Sequence, residues 1–249
     1  MSSPIKISLI TVVFNGEKHI GPTIESVLHQ THPAIEYIVV DGKSTDGTLE
    51  VVGSYSGIHQ VISEPDRGLY DAMNKGLKAA SGDYVWFLNA GDQIYSADTV
   101  ERMLEGLEGD PDIIYGGTMI IDEAQHEVGD RRLRPPEQLS WKSFRQGMVV
   151  CHQSILVKRE LAPEYNLEYR FSADIDWVIR VSKKAGKIHN SRLVLSRFLE
   201  GGLTDHNIKA GLKERFRIMT RYYGWLPTLL RHFLFGIRLT NYYLKHRRI

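Results

Sequence analysis

The chain carries one cysteine, Cys151, among its 249 residues. A single thiol excludes an internal disulfide framework and a cysteine-rich zinc site, and it fits a reducing compartment. No run of about 18 uncharged apolar residues occurs, so no membrane-spanning helix is expected. The opening stretch MSSPIKIS lacks the basic-then-apolar pattern of a signal peptide, which makes a cytoplasmic location the expectation. Two nucleotide-binding loops are missing as well. No G-x-G-x-x-G follows the first apolar run, which disfavours a dinucleotide fold. Gly42-Lys43-Ser44 imitates only the end of a P-loop, because Tyr37 stands where its first glycine belongs, and this excludes a P-loop NTPase.

What remains is ordinary in bulk and uneven in distribution. A hydrophobic content of 42% and a charged content of 24% are those of a globular chain long enough to bury a core. From Asn207 onward ten basic residues face one acid, Glu214, a net charge of +9 that leaves −8 on the first 206 residues. A basic end on an acidic body suggests an anionic partner surface, and nucleic acid is not expected among the partners. Within that end, Leu226, Leu229, Leu230, Phe233, Leu234, Ile237 and Leu244 share one stripe at helical spacing, with Arg231, His232, Arg238 and Lys245 on other faces. Residues 225–249 therefore read as a helix lying peripherally on an anionic membrane face, or packed on the body or on a second subunit.

The first hundred residues alternate apolar runs with amphipathic ones. Ile5 to Phe14, Tyr37 to Val40, Gln60 to Ser63 and Tyr84 to Leu88 are nearly continuous, which predicts strands buried on both faces. Between them Ile20, Ile24, Val27 and Leu28 share a helical face, with Pro22 predicting a start near Gly21. Thr48 to Tyr55 and Leu69 to Ala80 give two more helices, the latter with Leu69, Met73, Leu77 and Ala80 inward. This spacing predicts a parallel sheet with right-handed crossovers, an α/β nucleotide-binding half. After Asp92 a helix over Ser96 to Leu107, strands over Asp112 to Ile121, Gln153 to Val157 and Ser191 to Phe198, and a helix over Asp174 to Lys184 complete one domain. Its expected limits are residues 1–206, divided into 1–92 and 93–206, followed by a tail over 207–249.

One stretch poses the functional question. In "WFLNAGDQ", residues 86–93, an apolar run breaks into an amide, two residues with almost no side chain, and an acid. A turn would explain that composition. Yet ligands of open parallel sheets sit beyond the carboxyl ends of the strands, and those ends here are Phe14-Asn15, Asp41, Glu64 to Arg67 and Asn89 to Asp92. Four polar clusters converge on one edge, which four unrelated turns would not predict. Asp41, at the end of "VVD", can accept hydrogen bonds from a base or ribose.

The blocks "SLITVVFN", "SVLHQT", "EYIVVDGKSTDGT", "SEPDRGLYDAMNKGLKAASGDYVWFLNAGD" and "FSADIDWVIR" resemble, in order, those of the family 2 glycosyltransferases. The likeness spans roughly residues 5–205 and is nearest the bacterial branch, colanic-acid-type enzymes included, that builds exopolysaccharide, capsule or O-antigen units. It implies a GT-A fold (a mostly parallel α/β sheet flanked by helices), a nucleotide-sugar donor, a divalent metal, Mn²⁺ or Mg²⁺, and inversion at the anomeric carbon.

Carried over by position, the resemblance puts Thr11, Phe14, Asn15 and Glu17 in the nucleotide pocket and Asp41 on the base, usually uracil. Arg67 and Asn74 fall near the diphosphate and ribose. Asn89 to Asp92 matches the metal-binding Asp-x-Asp region, of which this chain keeps only Asp92. One carboxylate completed by phosphate and water can suffice for a hard cation, with Asn89 giving a neutral oxygen and Ala90 and Gly91 leaving room for the diphosphate. Asp174 aligns with the catalytic base. Asp176, about 200° away on the helix, suits a pair with Arg180 instead. His206, after Gly201-Gly202, is a candidate metal or phosphate ligand, and His152 is either on the acceptor side or a core histidine.

The implied acceptor is a glycan or lipid-linked glycan at the cytoplasmic membrane face. Two other classes stay open. A donor-binding protein without turnover would keep the same edge. A sugar nucleotidyltransferase needs a Gly-rich, Arg-Lys loop after its first strand, which "VVFNGEKHIG" does not provide.

Overall fold

A computed structural model describes residues 4–107, 109–201 and 208–233. The strands are β1 (Ile7–Val13), β2 (Ile35–Asp41), β3 (Gln60–Ser63), β4 (Tyr84–Asn89), β5 (Gln93–Ile94), β6 (Ile113–Ile121), β7 (Glu127–Asp130), β8 (Ile155–Lys158) and β9 (Ile188–Leu199). The helices are α1 (Glu17–Leu28), α2 (Thr48–Gly53), α3 (Leu69–Ala79), α4 (Thr99–Glu105), α5 (Ala173–Lys184) and α6 (Ile208–Tyr223). One sheet runs in the order β3-β2-β1-β4-β8-β6-β9-β5, with β7 paired to β6. β3, β2, β1 and β4 are parallel to one another. β8 lies antiparallel to both β4 and β6, so the second half of the sheet is mixed. This is the α/β layering that the alternating pattern predicts.

The apolar runs are continuous because each face of the sheet builds its own core. Ile10, Val12, Val40, Val85 and Phe87 pack with Met73 and Leu77 of α3 and with Trp177 and Ile179 of α5. Leu9, Val13, Val39, Trp86 and Leu88 pack with Ile20, Ile24 and Val27 of α1 and with Val100 and Met103 of α4. Alternate side chains of one strand thus feed opposite layers. α3 approaches β1 so closely that a Cβ on Gly76 would lie 2.3 Å from Ile10 Cγ2.

Three expectations change. β3 is not buried on both faces: it ends the sheet, and Val61 is 45% exposed. α1 begins at Glu17, so Pro22 sits in its second turn rather than at its start. The carbonyl that Pro22 leaves without a donor belongs to Lys18, which is exposed and open to water. Residues 152–154 form a 3-10 turn before β8 rather than its first residues, because Gln153 and Ser154 are drawn into contacts described below.

Beyond the expected boundary at residue 206 the chain returns to the body. α6 packs on α5: the Glu214 carboxylate accepts the backbone N–H groups of Arg170 at 2.9 Å and Phe171 at 2.8 Å. The Tyr222 hydroxyl donates to Asp176 at 2.8 Å, and the Tyr223 ring stacks on Trp141 at 5.5 Å. A short helix over 225–233 follows Gly224. No helix among the described residues is long and apolar enough to cross a membrane.

Candidate active site

The parallel strands deliver four loops to one edge, and those loops clamp each other. Asn15 takes a left-handed φ of 49° after β1; its N–H donates to Ser44 Oγ, and its Oδ1 accepts the Thr45 N–H, both at 2.8 Å. Glu17, opening α1, accepts the Gly47 N–H at 3.2 Å. Asn15 and Glu17 are exposed at the rim of this edge, and Phe14 beside them is 63% exposed. An aromatic so placed is unusual in a packed domain and suits the face of a base.

Asp41 closes β2 and is fully buried, not outside the core as its place at a strand end predicts. Its carboxylate accepts the Ser44 N–H at 3.2 Å and the Ser63 hydroxyl at 2.7 Å. Beside it, a Cβ on Gly42 would come within 2.3 Å of Asp66 Oδ2 and 3.4 Å of Phe14 Cδ2. Asp66 therefore belongs to the same corner as Phe14. It was visible in the sequence only as one member of the Glu64 to Arg67 cluster.

Two residues carried over as ligand contacts stand elsewhere. Thr11 is buried within β1, where its Oγ1 accepts the Tyr37 hydroxyl at 3.1 Å. Asn74 is buried inside α3 and exchanges two hydrogen bonds with the Tyr165 backbone, at 3.0 and 2.7 Å. Both side chains are spent on the fold rather than directed at the edge. Arg67 does lie in the loop after β3, but it is exposed and paired with Asp71 at 3.0 Å.

The stretch that posed the question is a turn and also a junction. Gly91 has a φ of 102°, and a Cβ there would lie 2.7 Å from Leu199 Cδ2. That backbone and that contact both require a residue without a side chain. Asp92 is buried: Oδ2 accepts the Gln153 side-chain amide at 2.8 Å and Oδ1 the Leu199 N–H at 3.1 Å. Burial pushes its carboxyl up to about 7. Asn89 Oδ1, by contrast, is a buried acceptor with no hydrogen-bond partner among the described residues, and Ala90 beside it is half-buried.

A divalent cation finds a poor fit here. Hard cations of this type take oxygen ligands, commonly carboxylate, and the one carboxylate of this stretch already spends both oxygens inside the protein. No group of three or more His, Cys, Asp or Glu that could hold a metal occurs among the described residues. His206 lies outside the described residues.

Asp174 stands in the first turn of α5, half-buried, with Oδ1 accepting the Tyr70 hydroxyl at 3.2 Å. Tyr70 begins α3, just after the Arg67 loop, so this bond joins α5 to the nucleotide edge. Burial raises the Tyr70 phenol well above its usual range, which keeps it a donor. Asp176 faces another way, to Arg180 at 2.7 Å and the Tyr222 hydroxyl at 2.8 Å, and is buried. His152 is a core histidine: its Nε2 meets the Tyr165 hydroxyl at 2.7 Å among Phe87 and Trp177. Burial pushes that ring down to about 4, so it is neutral at physiological pH. Tyr70 and Gln153 were not singled out from the sequence.

Four loops thus converge above the parallel half of the sheet, and a helix of the second half presents a carboxylate beside them. TarS residues 1–349 of S. aureus, solved in complex with UDP-GlcNAc, is similar with a TM-score of 0.72 at 19% identity, over 98% of this chain and 77% of that one. The fold is GT-A. A family model described as Glycosyl transferase family 2 matches residues 8–165. An uncharacterised glycosyltransferase of Mycobacterium tuberculosis is 32% identical over 99% of this chain and 93% of its own length. A putative teichuronic acid biosynthesis glycosyltransferase, TuaG of Bacillus subtilis, is 28% identical over 84% and 86%. The chain belongs to glycosyl transferase family 2.

Proposed function

We propose that the protein transfers a sugar, with inversion, from a uridine diphosphate donor to a hydroxyl of a glycan or lipid-linked acceptor in surface polysaccharide synthesis. The observation that carries this reading is the Tyr70–Asp174 bond, which fixes a carboxylate beside the nucleotide edge. Supporting it are the UDP-GlcNAc bound by the similar TarS structure and the teichuronic acid pathway named for the TuaG relative.

In the proposed reaction Asp174 takes the proton of the acceptor hydroxyl as that oxygen attacks the anomeric carbon. The bond from that carbon to the donor's phosphate oxygen breaks, and its electron pair leaves with the nucleoside diphosphate. Displacement from the face opposite the leaving group inverts the centre. Phe14 stacks on the base while Asp41 and Asp66 supply acceptors at its edge. Arg67 exchanges Asp71 for the diphosphate, where its planar donors match phosphate oxygens. Asn89 Oδ1, the buried acceptor without a partner, takes a donor hydroxyl. The Mn²⁺ or Mg²⁺ implied by the family resemblance has no fitting ligand set among the described residues, and no step here passes through it.

The acceptor is proposed to enter from the second half of the sheet. A cavity of about 300 Å³ opens there, walled by Thr118, Arg131, Arg134, Cys151, Asn190 and Arg192 among others. Cys151 reaches Asp92 through Gln153. A screen of nucleotide sugars for release of nucleoside diphosphate, followed by acceptor screening with the preferred donor, tests the whole reading. Tight nucleotide binding without transfer to any acceptor would favour a donor-binding protein instead.

A further inference from the structure

The helix over 225–233 is docked the wrong way round for a helix that ends its life in water. Its inner side is held by Thr228, which is buried with its hydroxyl on the Gly224 carbonyl at 2.8 Å, and by His232, whose ring meets Phe216 of α6 at 5.1 Å. Its outer side carries Trp225, Leu226, Leu229, Leu230 and Phe233, each between 40 and 67% exposed. At 100° per residue those five side chains fall within an arc of about 140°. The sequence stripe is thus real as far as Phe233 and gains Trp225. Leu234, Ile237 and Leu244 lie outside the described residues.

A globular domain seldom leaves such a continuous apolar face open, and a face of this kind marks an interaction surface. We infer that it lies in the interface of an anionic lipid bilayer. Charge selects that occupant. The chain from Asn207 onward carries a net +9, and α6, which bears the helix, presents Lys209, Lys213, Arg217 and Arg221. A basic helix leading into an apolar face with a tryptophan matches an anionic headgroup layer over acyl chains. A second copy docking on the same face would bring one +9 segment against another.

The placement also has a use, and this part rests on the proposed role of Asp174. The Ser172 hydroxyl, one residue before α5, donates to the Gly211 carbonyl in α6 at 3.3 Å. Thirteen residues later, about 20 Å along the helix axis, Gly224 opens the apolar helix. A bilayer on that face would stand on the order of 20 Å from the base, within reach of a sugar carried on a lipid.

The test uses the full chain and vesicles of phosphatidylcholine with and without phosphatidylglycerol. Co-sedimentation should need the anionic lipid, weaken as salt rises, and fall at least tenfold in Leu226→Glu/Leu230→Glu. Circular dichroism and donor hydrolysis should be unchanged in that variant, since neither residue touches the site. A variant that still binds vesicles like the parent would overturn the inference. So would a parent that ignores lipid but forms a dimer which the same substitution dissolves. Failure of nucleotide-sugar turnover with intact lipid binding would instead overturn the transferase reading alone.

Discussion

The Gln153 side-chain amide donates to Asp92 at 2.8 Å, and through this bond the turn after β4 is fastened to the turn before β8. The acid that the resemblance assigns to a metal ties together two loops at the end of the β4–β8 ladder, which itself joins the halves of the sheet. Its buried carboxyl, pushed up to about 7, makes that role measurable.

A carboxyl whose folded value lies above its unfolded value binds more protons folded than unfolded. Its contribution to stability is full below pH 4 and is lost as pH rises through about 7. Asp92→Asn should remove that dependence, flattening the melting temperature between pH 4 and pH 7 relative to the parent. The concentration of Mn²⁺ or Mg²⁺ giving half-maximal turnover should not move. A shift of tenfold or more in that concentration would restore Asp92 as a ligand.

Asp174→Asn keeps the shape of the side chain and removes its ability to accept a proton. Turnover should drop by about two to four orders of magnitude, with donor affinity barely changed. Tyr70→Phe removes the hydroxyl that orients Asp174 and should lower turnover by about tenfold, the scale of one hydrogen bond to a charged group. Single-turnover kinetics with a confirmed acceptor separates these effects from binding.

Asp176→Ala is the contrasting case. It takes one partner from the Tyr222 hydroxyl and one from Arg180, which keeps the Glu164 carbonyl, and the lost hydrogen bonds cost about 1–3 kcal/mol. Denaturant unfolding should show that loss, while the remaining folded enzyme keeps most of its turnover.

Asp41→Ala should weaken uridine diphosphate binding by calorimetry and also destabilise the fold by about 1–3 kcal/mol, because the Ser44 N–H and Ser63 hydroxyl lose their acceptor. Guanosine diphosphate binding tenfold tighter than the uridine form would overturn the base assignment.

The parallel half was legible because β1, β2 and β4 each feed two cores, and no alternation interrupts their apolar runs. β3 escaped the same reading because Val61 is apolar yet stands at a sheet edge, a fact of topology rather than composition. The Asp176–Arg180 pair follows from helical spacing and needed no tertiary information. Tyr70 and Gln153 could not be found that way, since their partners lie 104 and 61 residues distant in the chain. Thr11 and Asn74 show the converse. A residue type suited to a ligand was claimed by a neighbour that only folding supplies, the Tyr37 hydroxyl for one and the Tyr165 backbone for the other.

Glu214 accepts the backbone N–H groups of Arg170 and Phe171, just ahead of the helix that presents Asp174. Shortening the chain at residue 206 would therefore leave those two donors uncapped and loosen the mount of the base. A protein cut there and found inactive would say nothing about lipid. The severable joint is Gly224, whose φ of 87° breaks the helix after the last tyrosine clamp. A chain ending at that joint should retain its chemistry on a dissolved acceptor and become indifferent to the one embedded in a vesicle.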